Sequence, residues 1–170
     1  MTWHYAIVAF IALQRGAEMI YSRRNLLRLR GAGGVEARDP AYVGLIVVHT
    51  AWILALAFAV PADAPVNPYF LAAYGVILVL RIWVMASLGR FWCTRVISLP
   101  GTPLVGRGPY RFIRHPNYVV VVAEIAVAPL VFGAWDIAIV FSVLNGLLLW
   151  LRIRVEEAMI ANRRTIPADS

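Results

Sequence analysis

The chain contains no lysine and a single cysteine, and only 15% of its 170 residues carry charge. One cysteine, Cys93, excludes a disulfide within the chain. The low charge stands against 61% hydrophobic residues and a mean hydropathy of +0.73. A soluble domain is nearer half apolar and a quarter charged, so an ordinary soluble core is excluded. Three scattered histidines and one cysteine give no ligand spacing, so no metal is expected. A dinucleotide fingerprint is also missing: Gly31-Ala-Gly-Gly34 follows an arginine-rich stretch rather than a strand and is expected to be a flexible loop. All sixteen basic residues are arginine, and the net charge is +7. In a chain this apolar, that excess is expected to face lipid headgroups and cytoplasm rather than nucleic acid.

What the sequence has in abundance is long apolar runs, the signature of membrane spans. The spacing predicts an all-α integral membrane protein with about five transmembrane helices: Tyr5 to Tyr21, Ala41 to Val60, Tyr69 to Ser87, Tyr118 to Trp135 and Asp136 to Leu151. Pro61, Pro65 and Pro68 break the chain between the second and third runs. The last two runs have almost no linker and predict a tight helical hairpin. The first run lacks a basic leader and is interrupted by Gln14, Arg15 and Glu18, which argues against a signal peptide. One domain is expected, divided into 1–87 (spans one to three), 88–117 (a loop), 118–151 (the hairpin) and 152–170 (a tail). Arginines fill the first loop, the third loop and the tail but neither of the other turns. That asymmetry predicts the N-terminus outside, with both long loops and the C-terminus in the cytoplasm.

Polar residues within the spans mark sites where chemistry or pairing is required. Arg15 and Arg81 fit either snorkelling to the interface or pairing inside the membrane. Glu124 is too short to snorkel far and needs a partner or a polar cavity. His49, nearer mid-membrane, fits a hydrogen-bonded packing residue. At the end of span five, Arg152 and Glu156 lie four apart on one helical face, continued inward by Asn145 and Leu149. Such a pair serves equally as a helix-end ion pair or as a holder of an anionic oxygen and a cation.

The loop from Leu88 to Asn117 is rich in glycine and proline, which favour turns with exposed backbone groups. Phe91, Trp92, Tyr110, Phe112 and Tyr118 offer flat faces for stacking, and Arg111, Arg114 and His115 offer donors. A basic interfacial loop anchored by aromatics has the same composition.

The stretch Gly108-Pro-Tyr-Arg-Phe-Ile-Arg-His-Pro-Asn-Tyr118, followed one hairpin later by Arg152-x-x-x-Glu156-Glu157, resembles the isoprenylcysteine carboxyl methyltransferase family. That family also takes in phospholipid N-methyltransferases. The resemblance implies a pocket for S-adenosylmethionine, with S-adenosylhomocysteine as product, formed by Leu104, Val105, Tyr110, His115, Pro116, Asn117 and Tyr118, with Glu156 reaching in from the tail. It implies that Arg152 contacts the methyl acceptor, so Arg152 and Glu156 are the expected catalytic pair, with Glu157 a lesser candidate. NADPH-dependent lipid reductases share Arg-His-Pro-Asn-Tyr, but in them a glutamate typically follows the tyrosine within about a turn; here residues 119–122 are all valine. A non-catalytic membrane protein would need the loop only as an anchor.

Gln14-Arg15-x-x-Glu18, Ser22-Arg-Arg-Asn and Leu88-Gly-Arg-Phe-Trp are similar to compact bacterial members found with type III polyketide synthases. These resemble O-methyltransferases of long-chain alkylpyrones or alkylresorcinols, which implies a lipophilic acceptor entering from the bilayer of a bacterial inner membrane. Many family members continue beyond the paired glutamates with an aromatic-rich segment that covers the site. Here Ala158 to Ser170, with Arg163, Arg164 and Pro167, follow instead. Closure is therefore expected from the first loop or from a second subunit, the oligomeric state being open.

Overall fold

The computed structural model describes residues 3–164, with side chains as far as residue 161. Five helices form among these residues: α1 (Trp3–Gly31), α2 (Ala41–Phe58), α3 (Pro68–Leu88), α4 (Pro116–Leu130) and α5 (Trp135–Arg164). By length and composition α2, α3 and α5 can each cross a membrane, whereas α4 is a shorter apolar helix. Residues 131–134 turn α4 into α5 as the expected hairpin, with Gly133 at φ 69° in the turn. Much of the tail is helical, because α5 continues to Arg164; Pro167 lies outside the described residues.

The first helix departs from the expected end at Tyr21. It runs ten residues further, because Ser22-Arg-Arg-Asn contains no breaker and its polar side chains find partners elsewhere in the fold. Asn25 is fully buried and donates to Trp92 O at 2.9 Å and Gly89 O at 3.2 Å. Ser22 Oγ meets Thr94 Oγ1 at 2.8 Å and accepts from Thr94 N at the same distance. Tyr21 donates to Gly89 O at 2.9 Å, and its ring stacks on Trp92. The end of α1 is therefore the platform on which the 88–117 segment sits.

Glycine and proline set the remaining boundaries. Asn67 caps α3 by accepting from Tyr69 N and Phe70 N, with Pro68 at the first helical position. Gly108 crosses α3 so closely that a Cβ would lie 2.1 Å from Ser87 Oγ, and its φ is 59°. No side chain fits there. Gly31 to Gly34 form a defined turn rather than a loose loop: Ala32, Gly33 and Gly34 donate back to carbonyls of Arg28, Arg30 and Leu29.

That turn launches a feature an all-α reading omits. Strand β1 (Val35–Glu36) pairs antiparallel with β2 (Ile97–Ser98), and Ala37 N adds a bond to Val96 O at 2.9 Å. Glu36 pairs with Arg30 and, at 2.8 Å, with Arg95, whose guanidinium lies over the Tyr42 ring. The ribbon ties the first loop to the third.

Inside the helices lies a network of charges. Arg15 Nη2 contacts Glu124 at 2.6 Å and Arg15 Nη1 contacts Glu18 at 3.2 Å. Arg81 bonds Glu18 through two nitrogens and Glu124 at 2.5 Å. Gln14 donates to both carboxylates. Glu124 is fully buried and Arg81 nearly so. Arg15 and Arg81 thus pair within the fold rather than snorkel, and Glu124 has the partners its position demanded.

Two outcomes follow. Glu124→Gln leaves the Arg15 and Arg81 guanidinium groups sharing the single carboxylate of Glu18, one buried charge uncompensated, and breaking one side of a buried pair costs about 3–5 kcal/mol. The unfolding midpoint in detergent should therefore fall by roughly 10 °C, and an unshifted midpoint would remove the network from the stability of the fold. For the ribbon, hydrogen bonds from Arg30, working against burial and helped by the charges of Arg30 and Arg95, hold the Glu36 carboxyl below its ordinary value. A lowered carboxyl contributes its full stabilisation above the unfolded value and loses it as pH falls through the folded one. Corrected hydrogen-exchange protection of the Ala37 amide should be constant near neutrality and decline only below the usual carboxylate range; Glu36→Gln should show the decline already at neutral pH.

Candidate active site

A cavity of about 930 Å³ lies where the 88–117 segment meets the helices. This is at the upper end of sizes that enclose drug-sized ligands. Its walls change character with depth. Along α2 the stripe Tyr42, Leu45, Ile46, His49, Thr50 and Ile53 lines it, a helical spacing that spans about 16 Å of axis. The mouth is formed by the 93–106 stretch and the end of α5. Deeper in, Leu45, Val121 and Leu149 make an apolar waist, and beyond it Arg15, Glu18 and Arg81 of the charge network border the space with His49. Met19 of α1 and Ile46 of α2 line the cavity and remain 44% and 39% exposed.

At the mouth, Tyr118 joins two elements of the sequence motif. Its hydroxyl donates to Glu156 and accepts from Arg152 Nε at 3.0 Å. The ring of His115 stacks on that of Tyr118 with centroids 5.5 Å apart. His115 Nδ1 lies 3.8 Å from Glu156 and its Nε2 3.5 Å from Glu157. Arg152 and Glu156, one turn apart on α5, do not pair directly; the tyrosine hydroxyl stands between them.

Arg152 is 7% exposed and held from three directions. Besides Tyr118 it donates to Thr94 O, and its Nη1 lies 3.4 Å from Asp39 Oδ2. Asp39 sits at the start of α2, where its Oδ1 accepts from Ala41 N at 3.0 Å. Tyr110, in the short 3₁₀ turn Gly108–Arg111, also lines the cavity. Burial, and then the Glu156 charge, raise its phenol well above the ordinary range, so it remains a hydroxyl. That hydroxyl has no hydrogen-bond partner among the described residues.

Of the expected site residues, Leu104, Val105, Tyr110, His115, Asn117 and Tyr118 border this one cavity, as do Arg152, Glu156 and Glu157. Pro116 does not line it; it is buried at the first position of α4 and holds His115 out of the helix. Asn117 has its carboxamide oxygen taken by Trp92 Nε1 at 3.1 Å. Phe91, Trp92 and Arg114 join the lining, whereas Arg111 and the 76%-exposed Phe112 do not. His49 hydrogen-bonds Leu45 O through Nδ1 as a packing histidine does, but it also faces the cavity. Asn145 is fully buried on the face of Arg152, without a partner among the described residues. Sequence reasoning missed Asp39 and Thr94. Asp39 precedes Pro40 and looks like a helix cap, with nothing to link it to an arginine 113 positions later.

Among the described residues, no group of histidine, cysteine and acidic side chains could hold a metal ion. The donor set suits a ligand that is itself zwitterionic and carries a flat ring. Two adjacent carboxylates, Glu156 and Glu157, and the Arg114 guanidinium offer both signs, His115 offers ring nitrogens, and the Tyr110 hydroxyl is unspent.

The chain is 34% identical over 157 residues to "Uncharacterized protein YpbQ" of Bacillus subtilis (strain 168), covering 90% of this chain and 94% of the relative. No solved structure matches it. The profile of the isoprenylcysteine carboxyl methyltransferase (ICMT) family matches residues 70–162, more than half of the chain and all of α4 with nearly all of α3 and α5. The protein therefore belongs to the isoprenylcysteine carboxyl methyltransferase family and is an integral membrane methyltransferase.

Proposed function

We propose that the protein uses S-adenosylmethionine to methylate an oxygen of a lipophilic, membrane-resident acceptor. The observation that carries this reading is the Arg152–Tyr118–Glu156 chain, set in a cavity that charged and polar side chains share with an apolar lining. When bound, the cofactor supplies a methyl group on a positively charged sulfur, open to in-line displacement. The chain's own work is to position two ligands and limit water. Glu156, Glu157 and His115 face the charged end of the cofactor, and Tyr110, Leu104 and Val105 enclose its ring. Arg152 supplies a planar pair of donors to the acceptor's oxyanion, whether carboxylate, phenolate or enolate. The hydrogen bonds of Arg152 to Tyr118 and Thr94 use two of its five N–H groups, which leaves donors for that oxygen.

The apolar lining, Leu45, Ile46, Ile53, Val121 and Leu149 among it, fits an acceptor with a long hydrocarbon part, such as an alkylpyrone- or alkylresorcinol-like polyketide or an isoprenylcysteine-type carboxylate. The arginine distribution supports a topology of five spans, N-terminus outside, with the mouth toward the cytoplasm of a bacterial cell. In that topology the polar cofactor enters from the cytoplasm and the acceptor from the bilayer.

Calorimetric titration of purified protein with S-adenosylhomocysteine should give saturable binding, lost in His115→Ala and Glu156→Ala, with no binding of NADPH. Binding of NADPH alone would sink this function in favour of lipid reduction. Arg152→Ala should lower turnover by about 100-fold or more, the scale of losing one oxyanion donor. It should leave S-adenosylhomocysteine affinity nearly unchanged.

A further inference from the structure

The first loop lies outside the stretch that the family profile matches, yet it delivers a buried carboxylate to the site. Asp39 is 4% exposed in its side chain and stands behind Arg152, not on the cavity wall. Its two oxygens have different neighbours: Oδ1 accepts from Ala41 N at the start of α2, and Oδ2, with no hydrogen bond of its own among the described residues, lies 3.4 Å from Arg152 Nη1 as an ion pair. The ribbon fixes where this carboxylate stands, since Glu36 is three residues earlier and is bound to Arg95 and Arg30.

Arg152 has a second anionic neighbour. Glu156 follows it by one turn on the same face of α5, the spacing at which arginine and carboxylate ordinarily pair. They do not pair here, because Asp39 and the Thr94 carbonyl draw the two Nη groups away while the Tyr118 hydroxyl occupies the gap. The separation matters for the function proposed above, on which this inference rests. An arginine closed onto Glu156 would remove a carboxylate from the cofactor and a donor from the acceptor in one step.

We infer that Asp39 is a positioning residue that keeps Arg152 off Glu156, so that the first loop completes the active site. The charge of Asp39 does this work, not its size. Asparagine at this position retains a capping oxygen for Ala41 N, and aspartate and asparagine cap helices about equally well. It lacks the negative charge that holds the guanidinium.

The test is epistatic and needs no acceptor. Asp39→Asn should keep the unfolding midpoint of the wild type yet weaken S-adenosylhomocysteine binding by about tenfold, the scale of one charged hydrogen bond lost to a competitor. Adding Arg152→Gln to that variant should restore the affinity, because the competitor is then gone. A merely structural role for Asp39 predicts no rescue. Unchanged affinity in Asp39→Asn, or a loss that Arg152→Gln fails to repair, would overturn the inference. A second readout separates this from failure of the methyltransferase reading. In ¹⁵N-arginine protein without cofactor, the Arg152 Nε–H resonance, assigned through Arg152→Lys, should move in Asp39→Asn. A wild type that binds no S-adenosylhomocysteine would refute the reading, and an unmoved resonance would refute the role of Asp39.

Discussion

The structure depends first on the four charges held between its helices. Arg15, Glu18, Arg81 and Glu124 sum to zero, come from three helices and lie where unpaired charge is prohibitively unfavourable. Such a network does little to favour folding over an equally packed apolar core, but it discriminates strongly among alternative packings. A slip of α3 or α4 by one turn strands a guanidinium or a carboxylate in apolar surroundings. Register is therefore fixed at this level and propagates along rigid helices. Tyr118 stands six residues from Glu124, about 9 Å along α4, and Leu88 stands two turns from Arg81. The mouth of the cavity is thus placed from below.

Above the network the design reverses. Hydrogen bonds from Asn25, Ser22 and Tyr21 dock a glycine- and proline-rich segment that has little regular structure of its own. Most of their partners are backbone groups, Gly89 O, Trp92 O and Thr94 N, so the loop is held by its main chain. Its side chains are left for the cavity. Trp92 shows the economy of this arrangement: one face stacks on Tyr21 while its indole N–H orients Asn117.

How much of this was legible followed from how local each signal was. The apolar helices and the final hairpin are local, and the runs displayed them. The extra turns of α1 were hidden because arginines suggest a membrane boundary whether or not the helix continues. The spacing of Arg152 and Glu156 was legible too, but the hydroxyl that separates them comes from another helix. Arg15 and Arg81 stayed ambiguous because snorkelling and pairing differ only in which way a side chain faces across helices. The ribbon has two residues per strand, too few for any alternation to register. The resemblance to the methyltransferase family placed its motif residues around one cavity, apart from Pro116, whose part is to shape the chain before α4. It had no purchase on Asp39, which lies before the matched region.

The placement of charge explains why one cavity can take two unlike ligands. At the mouth, acidic and basic groups alternate: Glu156, Glu157, His115 and Arg114 offer both signs within a few ångströms, an environment for a zwitterion. At the deep end the charges are already satisfied by one another, so they present a neutral polar face and no net attraction to ions. Between them the lining is apolar, with Leu45, Val121 and Leu149 facing the space. A hydrocarbon chain gains by occupying that stretch and a charged molecule loses, whereas the reverse holds at the mouth. The two ligands are sorted by solvation alone, and Arg152 stands where the two environments meet.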